Sequence, residues 1–226
     1  MKNVAQSLAA VRESIHAAEQ KYGRQAGSVK LLAVSKSQPV PVVLAAVAAG
    51  QRDFGENYVQ EAVSKISAVG DPLLQWHFIG PIQSNKTRLI GEHFHWVHSL
   101  DRLKIAVRLN DARPPDLPPI NVCIQVNISA EDSKSGIEPA QLPRLAAAIA
   151  ALPRLRLRGL MALPEPVDNF EGQRRSFRAL RDLLDELRGG GLSLDTLSMG
   201  TTADMEAAIA EGATIVRIGT GIFGPR

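Results

Sequence analysis

Residues 29–50 read VKLLAVSKSQPVPVVLAAVAAG. Val29 to Lys36 is a short apolar run of strand character, and Val40 to Ala49 is apolar over a helical length and closed by Gly50. Together they make one strand-helix unit, and the unit recurs outward along the chain. Asp53 to Asn57 precedes a helix reaching Val69, Trp76 to Gly80 precedes a short helix near Thr87, and His95 to Leu100 precedes a helix reaching Asn110. In the second half Ile120 to Asn127, Leu155 to Ala162, Thr196 to Gly200 and Thr214 to Gly219 read as strands. Helices are expected over Ala140 to Leu152, Phe170 to Arg188 and Ala203 to Glu211. Phe170, Phe177, Leu180, Leu184 and Leu187 line one stripe of the longest, which Gly189 to Gly191 ends.

Strands alternating with helices through 226 residues, slightly short of the roughly 250 usual for a (β/α)8 chain, predict an α/β fold: a single closed parallel TIM-type barrel, with an open doubly wound sheet as the alternative. Val4, Leu8, Val11, Ile15 and Ala18 recur at steps of three and four, an extra N-terminal helix ending near Gly23. Only Thr220 to Arg226 follow the last strand, so this helix is expected to cover the gap that a final helix normally fills. Arg113 to Pro119, rich in proline, reads as a helix-to-strand loop rather than a boundary, which leaves one domain, 1–226. Ile128 to Glu138 is long, polar and follows a strand, a candidate mobile flap on the face where such barrels place their chemistry.

Hydrophobic residues make up 45% and charged residues 22%, which excludes a disordered or fibrous chain. Lys plus Arg at 26 against Asp plus Glu at 23 leaves +3, too little to indicate a nucleic-acid or membrane partner. Arg154, Arg156 and Arg158 alternate at a strand start and read as a solvated strand end, because only 4% of residues are aromatic and none interleave with them. Cys123 has no partner for an internal disulfide, lies in an apolar run and reads as a buried structural thiol in a reducing compartment. Arg12 and Glu13 interrupt the apolar stretch Leu8 to Val11, so no export signal is expected, and the run Pro39 to Gly50 is about half of a bilayer span. The expected location is the cytoplasm. His77 and His98 have no acidic or cysteine residue at ligand spacing, and no metal site is expected.

A closed barrel gathers the residues at its strand C-termini, here Lys36, Asn57, His98, Asn127, Ser198, Thr202, Arg217 and Thr220. Lys36 ends an apolar strand. At a barrel mouth its ammonium would lose hydration and its pKa would fall, making it a carbonyl-capturing amine; a solvated lysine beginning a loop fits the pattern equally well. Gly219 to Gly224 carries the letters of G-x-G-x-x-G. That fingerprint must open a helix and be followed about 20 residues later by an acidic residue, and here the chain stops at Arg226. The glycines instead leave backbone N–H groups open to a phosphate. Ser198, Gly200, Thr201 and Thr202 supply the partner loop ahead of a helix whose N-terminus favours an anion. The alternative is that Thr202 only caps the helix and the glycines only turn the chain.

Taken in order, Ala33-Val34-Ser35-Lys36, Phe54-Gly55-Glu56-Asn57-Tyr58, His77-Phe78-Ile79-Gly80 with Gln83 and Asn85-Lys86, Val97-His98-Ser99-Leu100-Asp101, Val126-Asn127 with Lys134 and Gly136, Gly159-Leu160-Met161, Leu197-Ser198-Met199-Gly200, and Val216-Arg217-Ile218-Gly219 through Ile222-Phe223-Gly224 resemble the YggS/PROSC family of pyridoxal 5′-phosphate homeostasis proteins nearly end to end. The resemblance implies a barrel like the N-terminal domain of alanine racemase, with pyridoxal phosphate held as a covalent Schiff base on Lys36. It implies phosphate contacts from Ser198, Thr202, Gly219 and Thr220, Arg217 facing the pyridine nitrogen, and Asn57 beside the ring. Thr201-Thr202 stands where the family usually has Met-Ser.

An arginine only donates hydrogen bonds, so Arg217 would leave the ring nitrogen unprotonated and the ring a weak electron sink. A racemase of this kind also needs an acid-base group on the other face of the cofactor, normally a tyrosine from a further domain, and this chain has only Tyr22 and Tyr58. The expected function is non-enzymatic buffering of pyridoxal phosphate and its delivery in transient contacts with apo-enzymes, with indirect effects on amino-acid and keto-acid balance. A weak racemase-like enzyme acting on small amino acids is the alternative. A third reading is a cofactor-free barrel enzyme in which Lys36 captures the carbonyl of a phosphorylated metabolite. No exposed apolar stripe suggests self-association, and a monomer is expected.

Overall fold

In the computed structural model the described residues are 3–129 and 135–225. Strands β1 (Lys30–Val34), β2 (Asp53–Glu56), β3 (Gln75–Phe78), β4 (Trp96–Leu100), β5 (Ile120–Gln125), β6 (Leu155–Met161), β7 (Thr196–Ser198) and β8 (Ile215–Ile218) pair in parallel, each with the next. β8 returns to β1 with Leu31 opposite Val216 and Ala33 opposite Ile218, so the barrel closes and no sheet edge is left. The closed barrel is the expected fold, and it excludes the open sheet.

The intervening helices are α1 (Val4–Lys21), α2 (Val40–Ala48), α3 (Val59–Val69), α4 (Thr87–His93), α5 (Leu103–Ala112), α6 (Leu142–Ala150), α7 (Phe170–Gly189), α8 (Met205–Ala210) and α9 (Thr220–Phe223). Strand alternation divides the core in two. Outward residues such as Phe54, Phe78, Ile120 and Leu160 pack against the helices, each large apolar side chain contributing roughly 1.5–3 kcal/mol. Inward residues Leu32, Trp96, Cys123, Met161 and Ile215 fill the barrel. Cys123 is fully buried, as expected.

Asn3 opens α1 by accepting hydrogen bonds from the N–H groups of Ala5 and Gln6. The helix packs on α8, α9 and α2, over the seam between the last strand and the first, as expected. Leu8, Ile15 and Ala18 on its apolar stripe are buried.

After β8 residues 220–223 form the short helix α9. Two expectations need correction. α8 begins at Met205 rather than Ala203, and Asp204 stands at its start, where a carboxylate opposes rather than favours an anion. Finally, of the alternating arginines Arg156 is exposed, but Arg158 pairs with Asp195 at 2.6 Å, donates to Asn121 Oδ1 and lies 4.9 Å over the Trp96 ring. It is a structural plug, not a solvated end. Ile137 of the expected flap bridges Val126 in parallel, and residues 130–134, including Lys134, lie outside the described residues.

Candidate functional site

The C-terminal ends of the strands enclose a cavity of about 560 Å³, within the roughly 300–1,000 Å³ of small-molecule sites. Val34 and Lys36 line it from the end of β1, Asn57 from β2 and Ile79 from β3. Thr201, Thr202 and Ala203 come from the loop after β7, and Arg217, Gly219 and Thr220 from β8 and its continuation. Of the residues expected to bind a cofactor, Lys36, Asn57, Thr202, Arg217, Gly219 and Thr220 thus share one cavity. Ser198 and His98 do not line it. Both are fully buried beneath it.

Local structure explains these placements. Gly200 has φ +94°, and a Cβ there would lie 2.6 Å from the Ala208 Cβ, so only glycine lets the loop fold onto α8. Thr201 donates its N–H and its hydroxyl to Asp204 Oδ1 at 2.6 and 2.8 Å. That hydroxyl is why threonine suits this position, since a methionine could not make the second bond. With Thr201 so engaged, Thr202 faces the other loop. Its Oγ1 lies 3.2 Å from Thr220 Oγ1 and accepts from the Gly221 N–H at 3.3 Å. The two loops therefore meet in paired hydroxyls at the cavity.

Arg217 enters from the barrel interior, where burial lowers its guanidinium pKa to about 10, still protonated at neutral pH. It donates to Ser198 Oγ and to the Ala162 carbonyl, both at 2.8 Å. Ser198 Oγ lies 2.7 Å from His98 Nδ1, His98 Nε2 lies 2.9 Å from His77 Nδ1, and His77 Nε2 lies 3.0 Å from Asp53 Oδ1, which also accepts from Lys30 Nζ at 3.0 Å.

The donors and acceptors assign one direction to this chain. Burial pulls the Asp53 pKa up, but the His77 hydrogen bond, the adjacent imidazole and Lys30 together hold it below the usual value, so it is an acceptor and His77 Nε2 carries a proton. Burial lowers the pKa of His77 and, more strongly, of His98, so each is neutral with a single N–H. His77 Nδ1 then accepts from His98 Nε2, His98 Nδ1 accepts from the Ser198 hydroxyl, and Ser198 accepts from Arg217. Each of these hydrogen bonds has one donor and one acceptor, and Arg217 stays locked and charged. Sequence reading missed this line because Asp53, His77, His98 and Ser198 belong to four different strands. The available signal was a polar residue at inward positions of otherwise apolar strands.

Asn57 Oδ1 is buried and has no hydrogen-bond partner among the described residues, an unfavourable state that a donor on a bound molecule would relieve. The lining also offers an amine, a guanidinium and paired hydroxyls between the apolar side chains of Val34, Ile79 and Leu163. That set fits a small aromatic aldehyde bearing a phosphate.

Residues 6–226 match the family described as "Alanine racemase, N-terminal domain". The chain is 58% identical over 226 residues to the pyridoxal phosphate homeostasis protein of Pseudomonas aeruginosa, covering 100% of this chain and 97% of that one. PipY of Synechococcus elongatus, in its structure with PLP bound, is 37% identical with a TM-score of 0.85, covering 98% of this chain and 100% of PipY. An alanine racemase of Corynebacterium glutamicum shares the fold at TM-score 0.71 and 19% identity, and only 61% of its chain is covered.

Proposed function

The chain belongs to the family of the alanine racemase N-terminal domain and, within it, to the pyridoxal phosphate homeostasis proteins; from that premise we propose that it binds pyridoxal 5′-phosphate as a Schiff base on Lys36, buffers it and delivers it. The observation that carries this reading is the cavity in which Lys36, Arg217 and the Thr202 and Thr220 hydroxyls meet. Lys36 supplies the amine. Thr202, Thr220 and the Gly219 backbone hold the phosphate, Arg217 faces the ring nitrogen, and Asn57 Oδ1 accepts a hydrogen bond beside the ring. Ser198 supports the site by accepting from Arg217. When bound, the cofactor supplies a reactive aldehyde carbon and a conjugated ring.

Binding is favoured over racemisation by the groups around the cavity. Arg217 donates hydrogen bonds and accepts none, so it does not protonate the ring nitrogen. Tyr22 is turned away, donating to Glu206 at 2.8 Å, and Tyr58 is exposed at the start of α3. Among the described residues no tyrosine lines the cavity to serve as a second acid-base group. In this proposal residues 1–226 act as one barrel domain, a cytoplasmic monomer meeting apo-enzymes transiently.

The test is the absorption spectrum of the purified protein with pyridoxal phosphate, before and after borohydride. A yellow band bleached by reduction, with the label on the peptide containing Lys36, is the expected result; a protein that stays colourless overturns the reading. Exchange of the α-hydrogen of alanine or serine in heavy water at a catalytic rate would instead support the racemase.

A further inference from the structure

Strand alternation sends Lys36 and Asn57 to the cavity, and their neighbours Ser35 and Glu56 to the opposite side of the barrel wall. There Lys65 of α3, 4% exposed, stands at the centre of a polar cluster. Its ammonium donates to the Ser35 carbonyl at 2.6 Å and pairs with Glu56 Oε1 at 2.8 Å and Glu61 Oε1 at 2.6 Å. Those partners take up all three of its N–H donors. Ser35 Oγ also donates to Glu56 Oε1, at 2.6 Å. On the other side of Lys36, the Ser37 N–H donates to Glu61 Oε1 at 2.7 Å. Ser37 has φ +62°, the one positive value at a non-glycine among the described residues. A side-chain-bearing residue occupies that region only when its surroundings hold it there.

We propose that Lys65, Glu56 and Glu61 are a clamp that sets the position of Lys36, and that Glu61 is its positioning residue for capture of the aldehyde. The inference rests on the reading that Lys36 is the cofactor's lysine. The clamp grips the residue before Lys36 and the residue after it, and through Glu56 it also holds the residue before Asn57. Stability alone does not account for it. A cluster that pairs one buried ammonium with a buried carboxylate and a part-exposed one is a poor source of folding free energy compared with apolar packing, and Glu56 Oε2 is left buried with no partner among the described residues. What the cluster provides is a fixed geometry for a flexible lysine, so that less freedom is lost when the aldehyde is captured.

Glu61→Ala tests this without emptying the core, because Glu61 is about one-third exposed. The apparent Kd for pyridoxal phosphate should rise roughly tenfold, the size expected for loss of one charged hydrogen bond. The borohydride-fixed label on Lys36 should fall with it. In the cofactor-free protein, hydrogen exchange of the Ser37 amide should quicken by about the same factor. Glu61→Gln, which keeps an acceptor for Ser37, should recover most of the affinity, and so should adding Ser37→Gly to Glu61→Ala, since glycine adopts a positive φ unaided. A Glu61→Ala protein that binds and is labelled within about twofold of the wild type overturns the proposal. If the wild type takes no label at Lys36, the functional reading fails instead. The Ser37 exchange rate then decides the clamp by itself, and unaltered exchange would refute it.

Discussion

His77 Nδ1 and His98 Nε2 lie 2.9 Å apart inside the barrel, with both imidazoles fully buried. Burial lowers both pKa values from the ordinary 6.5, with the neighbouring charges of Lys30 and Arg217 adding to the effect at His98. The unfolded chain therefore takes up protons at a pH where the folded one does not. Stability from this pair is complete above about pH 6.5 and is lost as pH falls below it, at up to about 1.4 kcal/mol per pH unit for each histidine. Urea midpoints should drop between pH 7.5 and 5.5, and less steeply in His98→Gln. A flat wild-type profile would mean that the imidazoles protonate in place.

Lys36 is half-buried at the cavity rim. Lys36→Ala should remove the yellow band formed with pyridoxal phosphate while changing the melting temperature little, because the residue lies at the mouth and not in the apolar core. Persistence of the band after borohydride-sensitive binding would assign the imine to another lysine.

Arg217 is held from beneath by Ser198 and Ala162, apart from the Thr202 and Thr220 hydroxyls. Arg217→Ala should consequently shift the absorbance of the bound cofactor more than it weakens phosphate affinity. An unchanged spectrum with tight binding would remove the guanidinium from the ring nitrogen.

Burial pushes the Cys123 thiol up to about 12, so roughly one part in ten thousand is thiolate at pH 8. A disulfide reagent should leave the folded protein unmodified over an hour and titrate one thiol per chain in guanidinium. Rapid reaction of the native protein would show that the barrel interior opens.

Glu211, at the end of α8 and 1% exposed, receives Arg174, Arg178 and Arg181 from α7 at 2.7, 2.9 and 2.8 Å. Burial works to raise its carboxyl pKa, but the hydrogen bonds from Arg178 and Arg174 outweigh that and hold it below the usual 4.5. Its contribution is present above that value and is lost as pH falls through the lower folded one. Glu211→Gln should cost roughly 1–3 kcal/mol at pH 7, toward the lower end because the arginines are part-exposed. The gap from wild type should close in strong acid, which chemical denaturation at both pH values would show.

Much of the site was legible because barrel chemistry gathers at strand C-termini, which can be located in a sequence. Lys36 and Asn57 end β1 and β2, and Gly219 and Thr220 follow β8, so the repeat alone brought them together. The depth of Ser198 was not legible. It ends β7 as plausibly as Lys36 ends β1, but a short strand places its side chain below the mouth, against Arg217 and His98. Asp204 was passed over because its part depends on α8 starting at Met205, and helix ends are set by local capping. Lys65 reads as one more polar residue of a helix until α3 is packed against the barrel.

The sequence by itself determined the barrel. Alternation, helical period and glycine stops act over a few residues, and their repetition leaves few ways to bury every apolar face. Only the tertiary structure decided which polar groups meet. The His98 and Ser198 side chains that touch at 2.7 Å are separated by 100 residues, and the pairing of Thr202 with Thr220 or of Lys65 with the Ser35 carbonyl exists only once β8 has closed on β1 and α3 has packed. Those contacts depend on strand register and side-chain depth, which arise from closure of the whole sheet rather than from any single segment.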